Sequence, residues 1–381
     1  MPSFPAYSIR LADHPAWHQD AAYSYHVGDL LSTAYTAIHH GAQDAAAFHD
    51  ALTLLRPYLD APMSRHQRLR VCYLAALARA ALGEPAAALF WVDETLNLAG
   101  QLPDSSDLAD IYYLRGSINR ALLRLRDALD DFWTCLALLD EEGVTQGRRQ
   151  SGIALTIRTL LAGFHFFLGH YDLAQQLVRQ ASLLISSRQS HTLDEATLAW
   201  TQALLDRWRG DPERAIHHAL YAADIYTRHG SPASAARIQI VVADTRLDLI
   251  ERLPPGSERE RAFDLTWSHV RRAVNLAKKA EDRVGGSLAE LSRLRYLRLR
   301  GADGGRVPAI EQVLHFGGQL GDEALVAQAL TSLGDELLAS ERTEAALVCY
   351  SEVLDVLKQS DVPAMGRWAR RALRLEEEMR G

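Results

Sequence analysis

The chain has 381 residues, of which 48% are hydrophobic and 23% are charged, a composition typical of a folded globular protein. Its formal net charge of −7 and its isoelectric point near 6.1 provide no overall attraction to nucleic acid or to an anionic membrane. The first residues lack the basic region and apolar core of a signal peptide, and no apolar run reaches the roughly 18 residues of a membrane span. We therefore expect a cytoplasmic protein that does not bind membranes.

Apolar residues recur at helical spacing through most of the chain, and glycine or proline interrupts them at short intervals. This pattern predicts an all-α protein whose helices come in pairs. Residues 1–15 carry three prolines and no period, which predicts an extended lead-in. The predicted helices then span 17–40, 44–58, 66–82, 85–99, 107–122, 126–139, a pair within 153–184, 193–209, 212–228, 234–253, 258–280, 286–300, 307–319, 323–339, 344–358 and 363–379.

A short signature recurs at the turns between paired helices. A glycine is followed five residues later by an alanine; glycine tolerates a positive φ at a helix end, and alanine lets the next helix approach closely. The signature occupies 41–46, 83–88, 169–174 and 210–215, and it recurs without the glycine at 123–128 and 341–346. Gly116 and Gly334 lie seven residues before the last two turns and predict points where two helices cross closely.

The signature resembles that of the tetratricopeptide repeat family, over most of the length of the chain. Successive units recur after about 40 to 46 residues, longer than the roughly 34 of the standard unit, as in the larger repeats of bacterial regulators. The resemblance implies a right-handed α-solenoid of about eight helical hairpins with a C-terminal capping helix.

We expect this solenoid to form a single domain over residues 1–381. Five regular hairpins are predicted in 16–230, irregular hairpins in 231–320 with an insertion near 251–259, and one regular hairpin in 321–360. The helix at 363–379 has one wet face, which suits a terminal cap because a bare repeat end would expose apolar surface.

The resemblance also implies a function. Similar repeats form the sensor parts of bacterial regulators, including peptide-pheromone receptors, so it predicts a non-enzymatic scaffold that binds a protein or a peptide. Such a chain would be an adaptor or the sensor part of a regulatory system, and the pattern also permits a homo-oligomer.

Family ligands lie in the concave groove, which the first helix of each hairpin lines. Carried over by the turn signature, the groove positions combine aromatic residues with arginines, a combination typical of peptide recognition. They are Arg70, Tyr73, Tyr113, Ser117, Arg120, Thr159, Phe166, Trp200, Arg207, Arg237, Asp244, Arg295 and Arg298.

A basic surface from Arg271 to Arg306 supports an alternative, a solenoid that contacts nucleic acid. Four arginines between residues 293 and 300 are interleaved with Tyr296, and forked guanidinium groups bind phosphates or carboxylates. A solvated face paired with nearby acids such as Glu290 explains the same pattern. A third alternative is an enzyme with its site in the groove, although the chain has no phosphate-binding loop and no nucleophile elbow.

The histidines and cysteines do not predict a metal or cofactor site. Cys72, Cys135 and Cys349 are distant in sequence and fall within predicted helices, which favours buried thiols over a disulfide or a zinc site. His165 and His170 come nearest to a ligand pair, but no further ligand is spaced with them.

Overall fold

The structure, a computed structural model, describes residues 45–59, 63–101, 108–122, 124–142, 150–185, 193–302, 305–359 and residue 377. These described residues form 15 α-helices and one short 3-10 helix, and they include no strand. The predicted lead-in, the predicted helix at 17–40 and, apart from Glu377, the predicted capping helix lie outside them.

The helices follow one another with short connections. They are α1 (Ala45–Leu55), the 3-10 helix Arg56–Tyr58, α2 (Arg65–Ala81), α3 (Pro85–Ala99), α4 (Leu108–Ala121), α5 (Leu125–Glu142), α6 (Gln150–Phe167), α7 (Tyr171–Ile185), α8 (Leu193–Arg209), α9 (Pro212–Arg228), α10 (Pro232–Arg252), α11 (Ser257–Lys279), α12 (Arg283–Leu299), α13 (Arg306–Leu320), α14 (Glu323–Ala339) and α15 (Thr343–Gln359). Among these described residues, every helix is too short or too polar to cross a bilayer.

The chain divides into two compact units, Met1–Ile157 and Arg158–Gly381. In the first unit, α2 packs against α3 and α4 against α5. In the second, α8 packs against α9, α10 against α11, and α14 against α15. Hairpins of paired helices are therefore the building block of both units, whereas a single solenoid over 1–381 stays a prediction.

The glycine-alanine signature has the predicted geometry at three turns. Gly83, Gly169 and Gly210 adopt φ values of 76°, 79° and 82°, and at each turn the alanine five residues later is fully buried. The N–H of the residue after each glycine donates to the carbonyl five residues before it, which satisfies a free carbonyl at the helix end. These glycines therefore end one helix and position the next.

At the turn 341–346, which has no glycine, Glu341 adopts the same left-handed conformation as the glycines of the other turns. Its φ is 60°, and Ala346 is as fully buried as the alanines of the glycine turns. A side chain in this conformation costs about 1 kcal/mol or more, so packing of the following helix must offset that strain. The turns at residues 41 and 123 lie outside the described residues.

Gly116 and Gly334 mark close helix crossings, as predicted. A Cβ added to Gly116 would lie 2.8 Å from a ring carbon of Phe132, and one added to Gly334 would lie 2.6 Å from a ring carbon of Tyr350. Both aromatic rings are fully buried. Each glycine therefore makes room for an aromatic ring of the second helix in its hairpin.

The hairpin formed by α10 and α11 is longer than its neighbours because its helices are long. They contain 21 and 23 residues, and the break between them covers only residues 253–256. Pro254 and Pro255 end α10, since proline cannot continue the helical hydrogen bonds. The predicted insertion near 251–259 is therefore a short break between two long helices.

Candidate functional site

In the second unit, the first helices of consecutive hairpins lie side by side. Helix α8 contacts α10, α10 contacts α12, and α12 contacts α14. The surface that these four helices share is called the first-helix face below. Four of the predicted groove residues, Arg207, Asp244, Arg295 and Arg298, lie on it and belong to one connected set of ion pairs.

The set begins with Arg207 on α8. Its Nε and Nη2 donate to Oδ2 of Asp248 on α10 at 2.9 and 2.7 Å, and its Nη1 lies 3.8 Å from Oδ2 of Asp244. Only 9% of the arginine side chain is exposed. A guanidinium held this way is fixed in one rotamer, and it ties α8 to α10.

Arg295 on α12 binds the same carboxylate from the other side. Its Nη2 donates to Oδ1 of Asp248 at 2.8 Å and lies 2.9 Å from Oε1 of Glu251. Burial disfavours its charge, but the carboxylates of Asp248, Glu251 and Asp244 outweigh burial and raise the pKa of Arg295. Asp244 also accepts a hydrogen bond from the hydroxyl of Ser292 at 2.7 Å.

Arg298, one turn further along α12, extends the set to α14. Its Nη2 donates to Oδ2 of Asp335 at 3.2 Å and lies 3.6 Å from Oε1 of Glu251. Its Nε lies 3.7 Å from Glu336, whose other carboxylate oxygen accepts from Nε of Arg306 on α13 at 2.8 Å. The set therefore runs without a break from α8 to α14.

We call this set the ion-pair ladder. Four arginines in it meet five carboxylates, which leaves a net charge of −1. Its members are Arg207, Arg295, Arg298, Arg306, Asp244, Asp248, Glu251, Asp335 and Glu336. Both charge signs are thus presented in fixed positions on a face that is only partly closed to solvent.

The other predicted residues of the second unit lie outside the ladder. Arg237 on α10 pairs with Asp282 at 3.2 Å, two turns before Asp244. Trp200 packs against the apolar cluster of α8, α9 and α10, and its indole N–H is enclosed without a hydrogen-bond partner among the described residues. Thr159 is only 1% exposed, whereas Phe166 is partly buried with its ring 5.5 Å from that of Tyr171.

In the first unit, three predicted residues share one face of α4. Tyr113, Ser117 and Arg120 lie one turn apart, and burial raises the pKa of Tyr113 to about 12. Ser117 is 5% exposed and Tyr73 is 1% exposed, so both side chains pack in the interior. Arg70 lies on α2, partly exposed.

Of the five carboxylates in the ladder, only Asp244 was among the residues predicted from the sequence. Asp248 and Glu251 follow Asp244 at helical spacing and therefore share its side of α10, a signal that the sequence did contain. The sequence reasoning also missed Asp131, which accepts two hydrogen bonds from Arg115 at 2.9 and 2.6 Å and one from Asn119 at 2.9 Å. Arg115 and Asn119 lie one turn apart on α4, but Asp131 comes from α5, and helical spacing does not indicate a partner on another helix.

The basic surface from Arg271 to Arg306 is divided among three helices, α11, α12 and the first residue of α13. On α12, Arg293 pairs with Glu290 at 2.6 Å and Arg300 with Glu260 at 3.1 Å, while Arg295 and Arg298 belong to the ladder. Tyr296 is buried against Phe263 and Trp267. The four arginines between residues 293 and 300 are therefore paired with acids of the described chain.

No protein-family model and no curated protein matches this sequence. Several solved structures are similar in fold at low identity. A Rap protein complexed with Competence and Sporulation Factor is 12% identical, with a TM-score of 0.62 and 86% of each chain covered. Aspartyl phosphate phosphatase F from Bacillus subtilis is 12% identical, with a TM-score of 0.61 and 91% of this chain and 87% of that chain covered.

The Rap conjugation gene regulator of the plasmid pLS20, in complex with the Phr* peptide, is 11% identical, with a TM-score of 0.52. The match covers 93% of this chain and 96% of that chain. At such identities the similarity concerns the fold. The chain shares the all-α fold of paired helices of these structures, which confirms the predicted fold class.

Proposed function

We propose that the chain is a peptide- or protein-binding sensor or adaptor, and that its ligand lies on the first-helix face of the second unit. The observation that carries this proposal is the ion-pair ladder, which places fixed charges of both signs across the four helices of this face, with Arg306 of α13 at its end. An extended peptide offers carbonyl and N–H groups along its length, together with charged side chains and termini. Such a ligand matches a row of alternating donors and acceptors better than a compact small molecule does.

The ladder also keeps the entropic cost of binding low. Each arginine is already held by at least one carboxylate, so a ligand need not immobilise a free side chain. Asp248 is shared between Arg207 and Arg295, at 2.7 and 2.8 Å. A ligand carboxylate that takes over one of these arginines therefore leaves Asp248 with a partner and creates no unpaired buried charge.

Two of the similar structures support a peptide ligand, because one Rap protein is complexed with Competence and Sporulation Factor and the pLS20 regulator with the Phr* peptide. A third is an aspartyl phosphate phosphatase, which raises the question of catalysis. We infer a non-enzymatic role for this chain, since the carboxylates of its ladder are engaged by arginines and a general base requires a carboxylate that can take up a proton.

The test is affinity capture of peptides and proteins from an extract of the source cells, followed by mass spectrometry. Replacing Trp200 and Arg207 together with alanine should abolish capture of a stoichiometric ligand while the helical circular dichroism stays intact. The matched control replaces Trp208 and Arg209, which end the same helix and are exposed. This control should capture the ligand as the unchanged chain does.

Because Arg207 is buried, its loss could lower stability and reduce capture for that reason alone. Arg207→Lys preserves the charge but cannot form the forked contact with Asp248. Reduced capture by a folded Arg207→Lys chain supports the site. Unchanged capture by the double variant would exclude the first-helix face as the binding surface.

A further inference from the structure

The C-terminal half of α11 carries positive charge that no acid of the described chain neutralises. Residues 265–279 include Arg271, Arg272, Lys278 and Lys279 but neither aspartate nor glutamate. Among the described residues, none of these four side chains forms an ion pair, although arginines of the adjacent α12 are paired. The two lysines are also two of the only three in the sequence, so this run is not a general feature of its surface.

The helix dipole accounts for only part of this run. Cations in the last turn of a helix are stabilised by the partial negative charge at its C-terminus, which explains Lys278 and Lys279. Arg271 and Arg272 lie about two turns earlier, beyond the reach of that effect. Their placement therefore requires another explanation.

Arg271, Arg272 and Lys279 lie around an open depression of about 410 Å³. Asn275 lies between them along the helix and has no hydrogen-bond partner among the described residues, so its amide N–H groups are available to a ligand. Leu276 borders the depression and packs against the apolar cluster of α8, α9 and α10, which holds this face of α11 in place. The hydroxyl of Ser268 donates to the carbonyl of Leu265 and offers no further donor.

A further arginine without an ion pair among the described residues lies near the contact between α10 and α11. Arg246 of α10 is half-buried, and its Nε has no hydrogen-bond partner among the described residues. Burial, followed by the charges of Arg246 and Arg272, lowers the pKa of His269 to about 4. Nδ1 of His269 lies 2.8 Å from the amide oxygen of Gln239, and no acid of the described residues forms an ion pair with Arg246 or Arg272.

We propose that the face formed by Arg271, Arg272, Asn275 and Lys279 is a binding site for the phosphate group of a small phosphorylated ligand. Two guanidinium groups, an ammonium group and an amide supply N–H donors from one side, which suits a tetrahedral oxyanion with several acceptor oxygens. The four residues span about 12 Å along the helix, room for one phosphate group but short for a strand of nucleic acid. The site is independent of the first-helix face.

The test is a titration of the full-length chain with inorganic phosphate at low ionic strength, followed by 31P NMR line broadening. Saturable binding that weakens as sodium chloride is added is expected, because salt screens the attraction between phosphate and exposed cations. The double variant Arg271→Ser with Arg272→Ser should weaken binding at least tenfold. Arg261→Ser, an exposed arginine nearer the start of the same helix, is the matched control and should change binding less than twofold.

Two further probes separate the sources of negative charge. A phosphorylated small molecule should bind at least as tightly as inorganic phosphate and should lose binding in the same double variant. A single-stranded DNA oligonucleotide or a glutamate-rich peptide that binds while inorganic phosphate neither binds nor competes would overturn the proposal. Unchanged phosphate binding by the double variant would overturn it as well, and circular dichroism of each variant controls for folding.

Discussion

The second unit contains two adjacent helices rich in basic residues, and they differ in what surrounds the charge. The arginines of α12 meet carboxylates of α10, α11 and α14, among them Glu251, Glu260 and Asp335. The cations in the C-terminal half of α11 meet none among the described residues. The two helices looked like one basic surface in the sequence, yet among the described residues the arginines between 293 and 300 are paired with acids, whereas Arg271, Arg272, Lys278 and Lys279 on α11 are not.

The difference follows from which helix lies opposite. Helix α10 carries Asp244, Asp248 and Glu251 on the side that faces α12, so the arginines of α12 fall within contact distance of acids. On its other side α10 offers Gln239 and Arg246 to α11. A run of basic residues therefore predicts unpaired positive charge only when the helices packed beside it lack acids.

The largest expected loss of stability follows from a substitution in the ion-pair ladder. Arg295→Met should lower the free energy of unfolding by about 3 kcal/mol, because among the described residues it leaves Glu251 with only Arg298, at 3.6 Å, and it removes the contact of Arg295 with Asp248. Urea denaturation followed by circular dichroism measures this loss. A loss below about 0.5 kcal/mol, the usual range for surface substitutions, would mean that the ladder does not stabilise the unit.

A smaller loss is expected at the far end of the ladder. Glu336→Gln keeps the shape of a side chain that is 4% exposed but removes the charge that Arg298 and Arg306 share. The free energy of unfolding should fall by about 2 kcal/mol, since both arginines lose a charged acceptor. The same denaturation experiment applies, with Glu352→Gln, at an exposed position in the middle of α15, as a control that should leave the midpoint nearly unchanged.

The surroundings of His269 on α11 predict that the stability of the protein depends on pH. The pKa of His269 is lowered from 6.5 to about 4, by burial first and then by Arg246 and Arg272. Between these two pKa values the unfolded chain binds more protons than the folded chain, so stability falls as the pH is lowered through this window.

The substitution His269→Gln should remove this part of the acid sensitivity. The side chain is not fully buried, so we expect the difference between the two chains to be about 1 kcal/mol over this window. Unfolding curves recorded near pH 7 and near pH 4.5 give that difference. The pKa of His165 is also lowered to about 4, but this residue is present in both chains, so its contribution to stability cancels in the difference. Equal acid sensitivity in both chains would contradict the assignment.

The smallest effect is expected for Arg271→Met. The side chain is exposed and has no ion pair among the described residues, so the free energy of unfolding should change by less than about 0.5 kcal/mol. Comparison with Arg295→Met tests the contrast between the two helices directly. If the two substitutions destabilised the chain equally, the distinction between paired and unpaired arginines would be wrong.

The hairpins could be predicted from sequence because their signals are local. A glycine at a helix end and an alanine five residues later act through backbone conformation and side-chain size, both properties of single residues. The predicted helices 85–99, 193–209, 212–228 and 323–339 match the observed bounds, and Gly116 and Gly334 mark close crossings as predicted. The positive φ of Glu341 could not be predicted in this way, because a glutamate side chain does not favour that conformation.

The candidate site could be predicted only in part. The turn signature placed Arg207, Asp244, Arg295 and Arg298 on one wall, and the structure brings these four residues together. Their roles were not predictable, since Asp248 lies 41 residues from one arginine partner and 47 from the other. Helical periodicity indicates which residues of one helix share a face, but not which helix will lie opposite.

By itself, the sequence determined that this protein consists of helical hairpins and where most of them turn, because those features depend on contacts between near neighbours in the chain. Only the tertiary structure decided which charges are neutralised and which remain available to a ligand. The physical reason is that the energy of a charge depends on every group within a few ångströms, and at Arg295 and Arg271 those groups come from different helices.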